Sequence, residues 1–387
     1  MEPDSLAHSL FAIPELLDHT IDILSESLVD LHSCALVSKS WVPRAQFHIF
    51  EKIILWRFDS VSDDMKLLRR LMKILEVSPH LAHFIRHLSI SLNIDLLEGI
   101  VGMTLPRLEE LYVECTFYQY RGLDDMTTRF HVQSLLRRPT VRSVELYGAF
   151  TSISVIRAYF DNCTHIQRLG LISAHVVGTE NMEDLEASNP NPALGASKIQ
   201  LSHITFPARS SEELDAWIVG PHCPFGFQRL RSVHIPEPRW RLFRSLLAPG
   251  LGSIEYLKLL NLDDRGDRVL DLSGFTNLKQ LDVHVGASLP LPNLIAALQS
   301  LPPNNSLQTM GLLQHFVFAG DEKVFKDFDT IIPTLDAMHS LRRVEIYIRR
   351  GLRSELDVEC FRSYFPTLAS KGYLFIHSYD LYGLEYR

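Results

Sequence analysis

The stretch Leu108-Glu109-Glu110-Leu111-Tyr112-Val113 sets out an apolar residue, two others, a second apolar residue, one other and a third. Its second half alternates in and out with the period of two that a half-buried strand requires. The same spacing recurs at Ile85/Leu88/Ile90, Val141/Val144/Leu146, Ile166/Leu169/Leu171, Leu201/Ile204/Phe206, Leu230/Val233/Ile235, Ile254/Leu257/Leu259, Leu278/Leu281/Val283, Leu307/Met310/Leu312 and Leu341/Val344/Ile346. One copy carries little weight, because three apolar positions in six are common by chance. Ten in order, 23 to 35 residues apart, predict a tandem array in which no unit buries its face alone.

Between the copies, Ser152 to Asn162, Ser211 to Val219, Pro292 to Leu301 and Asp321 to Leu335 have helical patterning. A strand followed by a returning helix, repeated, predicts an α/β solenoid: parallel strands on a concave side and helices on a convex one. The competing reading is a conventional α/β domain whose parallel strands share the short signature. The array resembles a degenerate set of leucine-rich repeats. That family's usual Asn, three residues after the last apolar position, is matched at Asn93, whereas Thr116, Ala149, Ala174, Pro238, Leu262, Gly286, His315 and Arg349 stand at eight of the other nine places. Without an Asn ladder the turns must satisfy their backbone groups otherwise, so an irregular array is expected. Gly178 to Ser197, rich in Asn, Pro, Glu and Ser, interrupts it as an acidic insertion.

Ahead of the array stand Ile13-Pro14-Glu15-Leu16-Leu17, then Asp30-Leu31, then Cys34-Ala35-Leu36-Val37-Ser38-Lys39-Ser40-Trp41. Pro14 suits a first helical turn, where its missing N–H costs nothing, and Glu15 sits well at the positive end of the helix dipole. Leu17, Ile21 and Leu24 share one helical face, and Asp30 is placed to cap a second helix. About three short helices in so few residues cannot bury a good core unaided, so part of their apolar surface is expected to face a partner. The alternative is an ordinary helical hairpin whose Leu, Val and Trp residues fill a core.

The segment resembles the F-box, whose pattern is Leu-Pro-x-Glu, then Asp-Leu, then Val-Ser-(Lys/Arg)-x-Trp. Ile13 replaces the opening Leu; Pro14, Glu15, Asp30, Leu31, Val37, Ser38, Lys39 and Trp41 match. The resemblance implies a Skp-family adaptor and, through it, a cullin as partners, with Ile13, Pro14, Glu15, Leu16, Ile21, Leu24, Leu31, Leu36, Val37 and Trp41 as the adaptor-binding residues. Ser78-Pro79-His80-Leu81 and Ile85-Arg86-His87-Leu88-Ser89-Ile90 resemble the join between F-box and repeats in fungal F-box proteins. The expected organisation is an F-box domain over 8–55, a linking strand and helix over 56–84, and irregular leucine-rich-repeat-like units over 85–387. Within the link, Phe50 to Phe58 reads as a strand, Ser62 as a helix cap and Pro79 as that helix's stop.

Apolar residues at 46% and charged residues at 22% suit a folded chain rather than a disordered one. A net charge of -8 argues against a nucleic-acid partner, which would need a basic face. The first residues lack a basic, apolar leader and no run approaches a membrane span, so the cytoplasm or nucleus is the expected location, with no membrane partner. Five scattered cysteines, Cys34, Cys115, Cys163, Cys223 and Cys360, show neither zinc nor redox spacing and are expected as small buried hydrophobes.

Strand alternation turns Glu110, Tyr112 and Glu114 to the open face when Leu111 and Val113 point inward. The same rule places Glu145, Tyr147, Arg168, His234, Tyr256, Lys258, Asp282, His284, Arg343, Glu345 and Tyr347 there. Glu110, Tyr112, Glu114, Tyr147, Arg168, Tyr256, Lys258, Asp282, His284, Arg343 and Tyr347 are the candidate substrate-binding residues, because Tyr and Arg are favoured interface anchors. No nucleophile elbow, phosphate loop or His-Glu-x-x-His pair occurs. His80, His83 and His87 have helical spacing but no acidic or Cys ligand close by in sequence, so neither a metal nor a cofactor is expected. The resulting expectation is a non-enzymatic substrate adaptor of a cullin-RING ubiquitin ligase that holds an unknown substrate protein. The alternative is a repeat scaffold whose N-terminal helices only cap the array.

Overall fold

A computed structural model describes residues 13–56, 61–115, 126–176, 198–207, 211–236, 239–262, 270–285, 291–314, 322–349 and 361–379. The expected insertion at 178–197 and Cys360 lie outside them. The chain is mixed α/β and divides into two compact units, residues 1–166 with 174–191, and residues 167–173 with 192–387.

The first unit opens with three helices, α1 (Pro14–Ile23), α2 (Leu28–Val37) and α3 (Val42–Glu51). Pro14 occupies the first helical turn as its ring demands. Ser27, not Asp30, caps α2: its hydroxyl accepts from the Asp30 N–H, which leaves Asp30 inside the first turn. The three helices share a core of Leu17, Ile21, Leu31, Cys34 and Ala45, against which Leu24, Ala35, Trp41 and Ile49 pack. Arg44 Nε and Nη2 donate to the two Asp22 carboxylate oxygens at 2.5 and 2.7 Å, and His48 Nε2 lies 2.7 Å from the same group, so α1 is tied to α3. The Arg44 hydrogen bond holds the Asp22 carboxyl down at about 2.

The strand expected from Phe50 begins later. Phe50 still belongs to α3, and β1 (Lys52–Leu55) follows at once. It pairs in parallel with β2 (His87–Ser91), so the sheet begins within the segment assigned to the helical domain. Helix α4 (Val61–Val77) starts ahead of Ser62, which lies within its first turn and not at the position before the helix; a short 3-10 turn, Pro79–His83, follows. Then come α5 (Ile94–Val101), β3 (Glu110–Cys115), α6 (Met126–Leu136), β4 (Ser143–Phe150) and α7 (Ile153–Tyr159). Strands β1 to β4 pair in parallel in chain order, and α4 to α7 pack one on the next.

In the second unit the first residues of β5 (Arg168–Val176) pair with β7 (His203–Thr205), and a separate two-stranded pairing joins β6 (Ile199–Gln200) to β8 (Phe225–Gly226). Parallel neighbours then follow in chain order: β9 (Ser232–Pro236), β10 (Tyr256–Leu262), β11 (Gln280–Val285), β12 (Thr309–Gln314), β13 (Arg343–Arg349) and β14 (Leu374–Tyr379). The connections carry α8 (Glu212–Val219), α9 (Trp240–Leu247), α10 (Leu291–Gln299), α11 (Glu322–Ile331) and α12 (Pro366–Ser370). The predicted helices at 152–162, 211–219, 292–301 and 321–335 thus form with slightly shorter bounds, the first two capped by Ser152 and Ser211.

Each of the ten sequence copies lies on its own strand, and all three apolar positions of every copy are at most 4% exposed. Strands β1 and β14 extend the series beyond the copies visible in the sequence. Main-chain groups replace the missing Asn ladder. The residue preceding each strand donates its N–H to the carbonyl of its counterpart one strand back: Glu109 to Arg86 and Arg142 to Glu109 at 2.8 Å in the first unit. In the second, Arg231 bonds Ser202, Glu255 bonds Arg231, Lys279 bonds Glu255 and Gln308 bonds Lys279, all at 2.8 Å. Side chains of varied type add to this. Asn305, 2% exposed, donates to the Ala337 carbonyl at 3.0 Å, and the Ser253 hydroxyl donates to Leu230 at 2.8 Å. Asn93 is no ladder residue: its side chain caps α5 by accepting from the N–H groups of Asp95 and Leu96.

Candidate functional site

The ten residues expected to meet an adaptor split by exposure. Ile13, Pro14, Glu15, Leu16, Leu36 and Val37 are exposed, with Leu16 at 45%, Leu36 at 88% and Val37 at 65%. Ile21 and Leu31 are fully buried, and Leu24 and Trp41 half-buried, because a three-helix unit must spend one face of each helix on its own core. Ile21 and Leu31 therefore shape the module from within and do not present themselves to a partner. Ile23, Leu28 and Val29 are also exposed. They lie off the Leu17/Ile21 stripe, so a count of apolar residues outside that stripe would have found them.

On the sheet of the first unit, alternation holds as predicted for Glu110, Tyr112 and Tyr147, all half-buried beside inward-facing Leu111, Val113 and Leu146. Glu110 Oε2 lies 2.7 Å from His87 Nδ1 on the neighbouring strand. Glu114 departs from the expectation: it is 2% exposed, and its Oε2 has no hydrogen-bond partner. Burial, and secondarily the Asp64 carboxylate, raise its pKa. A buried acid at the end of β3 is not a surface contact. Trp56, which the sequence reading placed in a strand only, stacks on Tyr112.

In the second unit, several expected residues meet in one polar network. The Tyr256 hydroxyl donates to Asp282 Oδ2 at 2.6 Å, and Gln280 Nε2 donates to the same carboxylate. Register sets Lys258 opposite Asp282, and Asp282 opposite Gly311. A Cβ at Gly311 would come within 2.3 Å of Asp282 Oδ1, so glycine there lets the carboxylate lean across β12. Burial holds the Lys258 ammonium below its ordinary pKa against the pull of Asp282, and raises that of the Tyr256 phenol. On β13, Glu345 accepts from Arg343 Nε at 2.6 Å and from the Tyr347 hydroxyl at 2.8 Å. Tyr347 stacks on His377 of β14, and Arg343 lies 4.4 Å over the Phe375 ring. His234 packs edge-on against Tyr256, with Thr205 Oγ1 3.2 Å from its Nδ1. Arg168 stands exposed on β5, and His284 is half-buried opposite Leu313. Gln280, His377 and Phe375 escaped the sequence reading; Gln280 follows from alternation beside Leu281 on β11, and Phe375 and His377 follow from it once β14 is known.

These surfaces carry hydrogen-bonded polar groups and rings. His87 is engaged with Glu110, and His80 lies edge-on to Phe84, so the three-His spacing does not converge. Among the described residues no group of three His, Cys, Asp or Glu is placed to hold a metal, and no helix is long and apolar enough to cross a membrane. The described cysteines are all buried and unpaired in disulfides, the Cys115 thiol pushed up to about 12 by burial. No protein-family model matches the chain, and no curated protein is similar to it.

Proposed function

We propose that the chain is a substrate-recognition adaptor of a cullin-RING ubiquitin ligase, in which the N-terminal helices dock on a Skp-family adaptor and the repeat face, concave in a leucine-rich-repeat horseshoe, holds a substrate protein. The observation that carries this reading is the helical module itself. It has a core of its own, yet leaves Leu16, Ile23, Leu28, Val29, Leu36 and Val37 exposed within fewer than forty residues. Clustered exposed apolar side chains mark an interaction surface. The F-box-like order of Pro14-Glu15, Asp30-Leu31 and Val37-Ser38-Lys39-x-Trp41 supports a Skp-family adaptor as the partner. Function then consists of raising the local concentration of substrate beside the loaded ubiquitin carrier.

Co-purification of the full chain with a Skp-family adaptor tests the reading. The double variant Leu16→Asp, Leu36→Asp is expected to abolish the association while the chain stays folded, because both positions are exposed in the free protein and a charge would be buried unpaired only in the complex. Absence of association with the wild-type chain, or its persistence in the double variant, rejects the assignment.

A further inference from the structure

On the sheet face of the first unit three aromatic rings form a row. Trp56, just past β1, stacks on Tyr112 of β3 with ring centres 5.7 Å apart and planes 17° apart; Tyr112 stacks on Tyr147 of β4 at 6.3 Å and 25°. The row passes over β2, whose outward residues there are Ser89 and Ser91. Two small side chains in succession are what allow an indole to reach across an intervening strand. Acidic groups accompany the rings. Glu145 is half-buried directly opposite Tyr112, and Glu110, bonded to His87, lies two residues before Tyr112 on the same face; Glu114, opposite Tyr147, is buried and takes no part. The register row through Ser89 reads Ile54, Ser89, Tyr112, Glu145, and the one through Ser91 continues to Glu114 and Tyr147. Neither holds a Lys or Arg, whereas the row through Glu110 runs Lys52, His87, Glu110, Ser143.

Ring faces and carboxylates both attract cations, and a guanidinium in particular stacks on a ring while its edge bonds a carboxylate. We propose that this face binds a basic, Arg-containing segment of a partner protein, its guanidinium groups lying along the Trp56–Tyr112–Tyr147 row and pairing with Glu145. The inference rests on the proposed recognition role, for which it names the chemistry of the substrate. The chain's net charge of -8 favours the approach of such a segment.

The test uses the full chain and fluorescently labelled oligo-arginine, oligo-lysine and oligo-glutamate peptides at physiological salt, read by anisotropy. Oligo-arginine is expected to bind more tightly than oligo-lysine, and oligo-glutamate not at all. Tyr112→Ala and Glu145→Lys should each weaken oligo-arginine by about tenfold or more, whereas Glu212→Lys, the same charge change on exposed Glu212 of the second unit, should leave it unchanged. Should Tyr112→Ala melt early, Tyr147→Ala and Glu145→Gln carry the comparison. Equal weakening by Glu212→Lys, no binding to the wild type, or displacement by spermine at a matching concentration of charge each overturns the proposal, the last in favour of a small polycation. Adaptor association is measured on the same samples: peptide binding lost with adaptor binding intact removes this inference alone, and the reverse removes the ligase reading alone.

Discussion

Two truncations of similar aliphatic side chains separate the core of the helical module from the exposed apolar face proposed for docking. Ile21 is 0% exposed and Leu36 is 88% exposed. Ile21→Ala removes buried atoms from a five-residue core, where such changes cost about 2–5 kcal/mol. A module this small holds only a few kcal/mol of its own stability, so the loss should open α1 to α3. Leu36→Ala removes a side chain that already meets solvent and should change stability by no more than ~0.5 kcal/mol. Against an adaptor the order reverses for direct contact. Burying a leucine side chain is worth roughly 1.5–3 kcal/mol, which corresponds to about 10- to 100-fold in affinity. Amide hydrogen exchange over residues 14–51, followed by mass spectrometry, reads the first effect; titration with purified Skp-family adaptor reads the second. Ile21→Ala should lose protection throughout the module, and Leu36→Ala should keep it while binding weakly. A Leu36→Ala protein deprotected as far as Ile21→Ala would refute the division into core and surface. One that binds as the wild type does would remove Leu36 from the interface.

Gly148 sits at φ +99°, and a Cβ there would come within 2.0 Å of the Cys115 carbonyl oxygen, whereas Gly372 at φ +71° has nothing within 4 Å. Gly372→Ala should therefore cost only the left-handed strain, ~1 kcal/mol, while Gly148→Ala must also part β3 from β4 and should cost ~3 kcal/mol. Calorimetry of the two variants checks the contrast, and equal drops in Tm would show that the approach to Cys115 is not what matters. Burial, then Lys258, then His203 hold His234 down from 6.5 to about 4. A folded pKa below the unfolded one means that the unfolded chain binds more protons between those values, so stability is complete above about pH 6.5 and is lost as pH falls toward 4. At about 1.4 kcal/mol per pH unit this approaches ~3 kcal/mol. Urea unfolding across the window should show a shallower decline for His234→Gln than for the wild type; parallel curves would contradict the enclosure of His234 by Thr205, Tyr256 and Lys258.

The strands were legible because their signal is redundant. Each copy repeats a period of two beside one further apolar residue that plugs the preceding turn, and burial punishes any departure at all three places. Boundaries were less legible where two patterns overlap. Phe50 continues the amphipathic face of α3 and also begins the apolar run of β1, and a single sequence does not say which claim prevails until β1 finds β2 beside it. Strand β14 escaped because Lys371, not an apolar residue, stands three positions before its Leu374 and Ile376 pair. Asp30 and Ser27 present the same ambiguity at smaller scale. Both residue types cap helices well, and one turn of α2 decides between them.

Site residues were harder to read because alternation gives direction but not depth. Glu110, Tyr112 and Glu114 share a face, yet Glu114 ends buried with a raised pKa while the other two remain half open. Depth depends on what lies across the neighbouring strands, and those neighbours come from residues 23 to 35 positions away. The same dependence explains why the missing Asn ladder does not prevent the fold. In a regular repeat the Asn serves the turn of its own unit; here the carbonyl before each strand receives the next unit's N–H directly, a bond that any residue but proline can make. Side chains as different as Asn305 and Ser253 then fill local needs, and no one residue type is required at the turns.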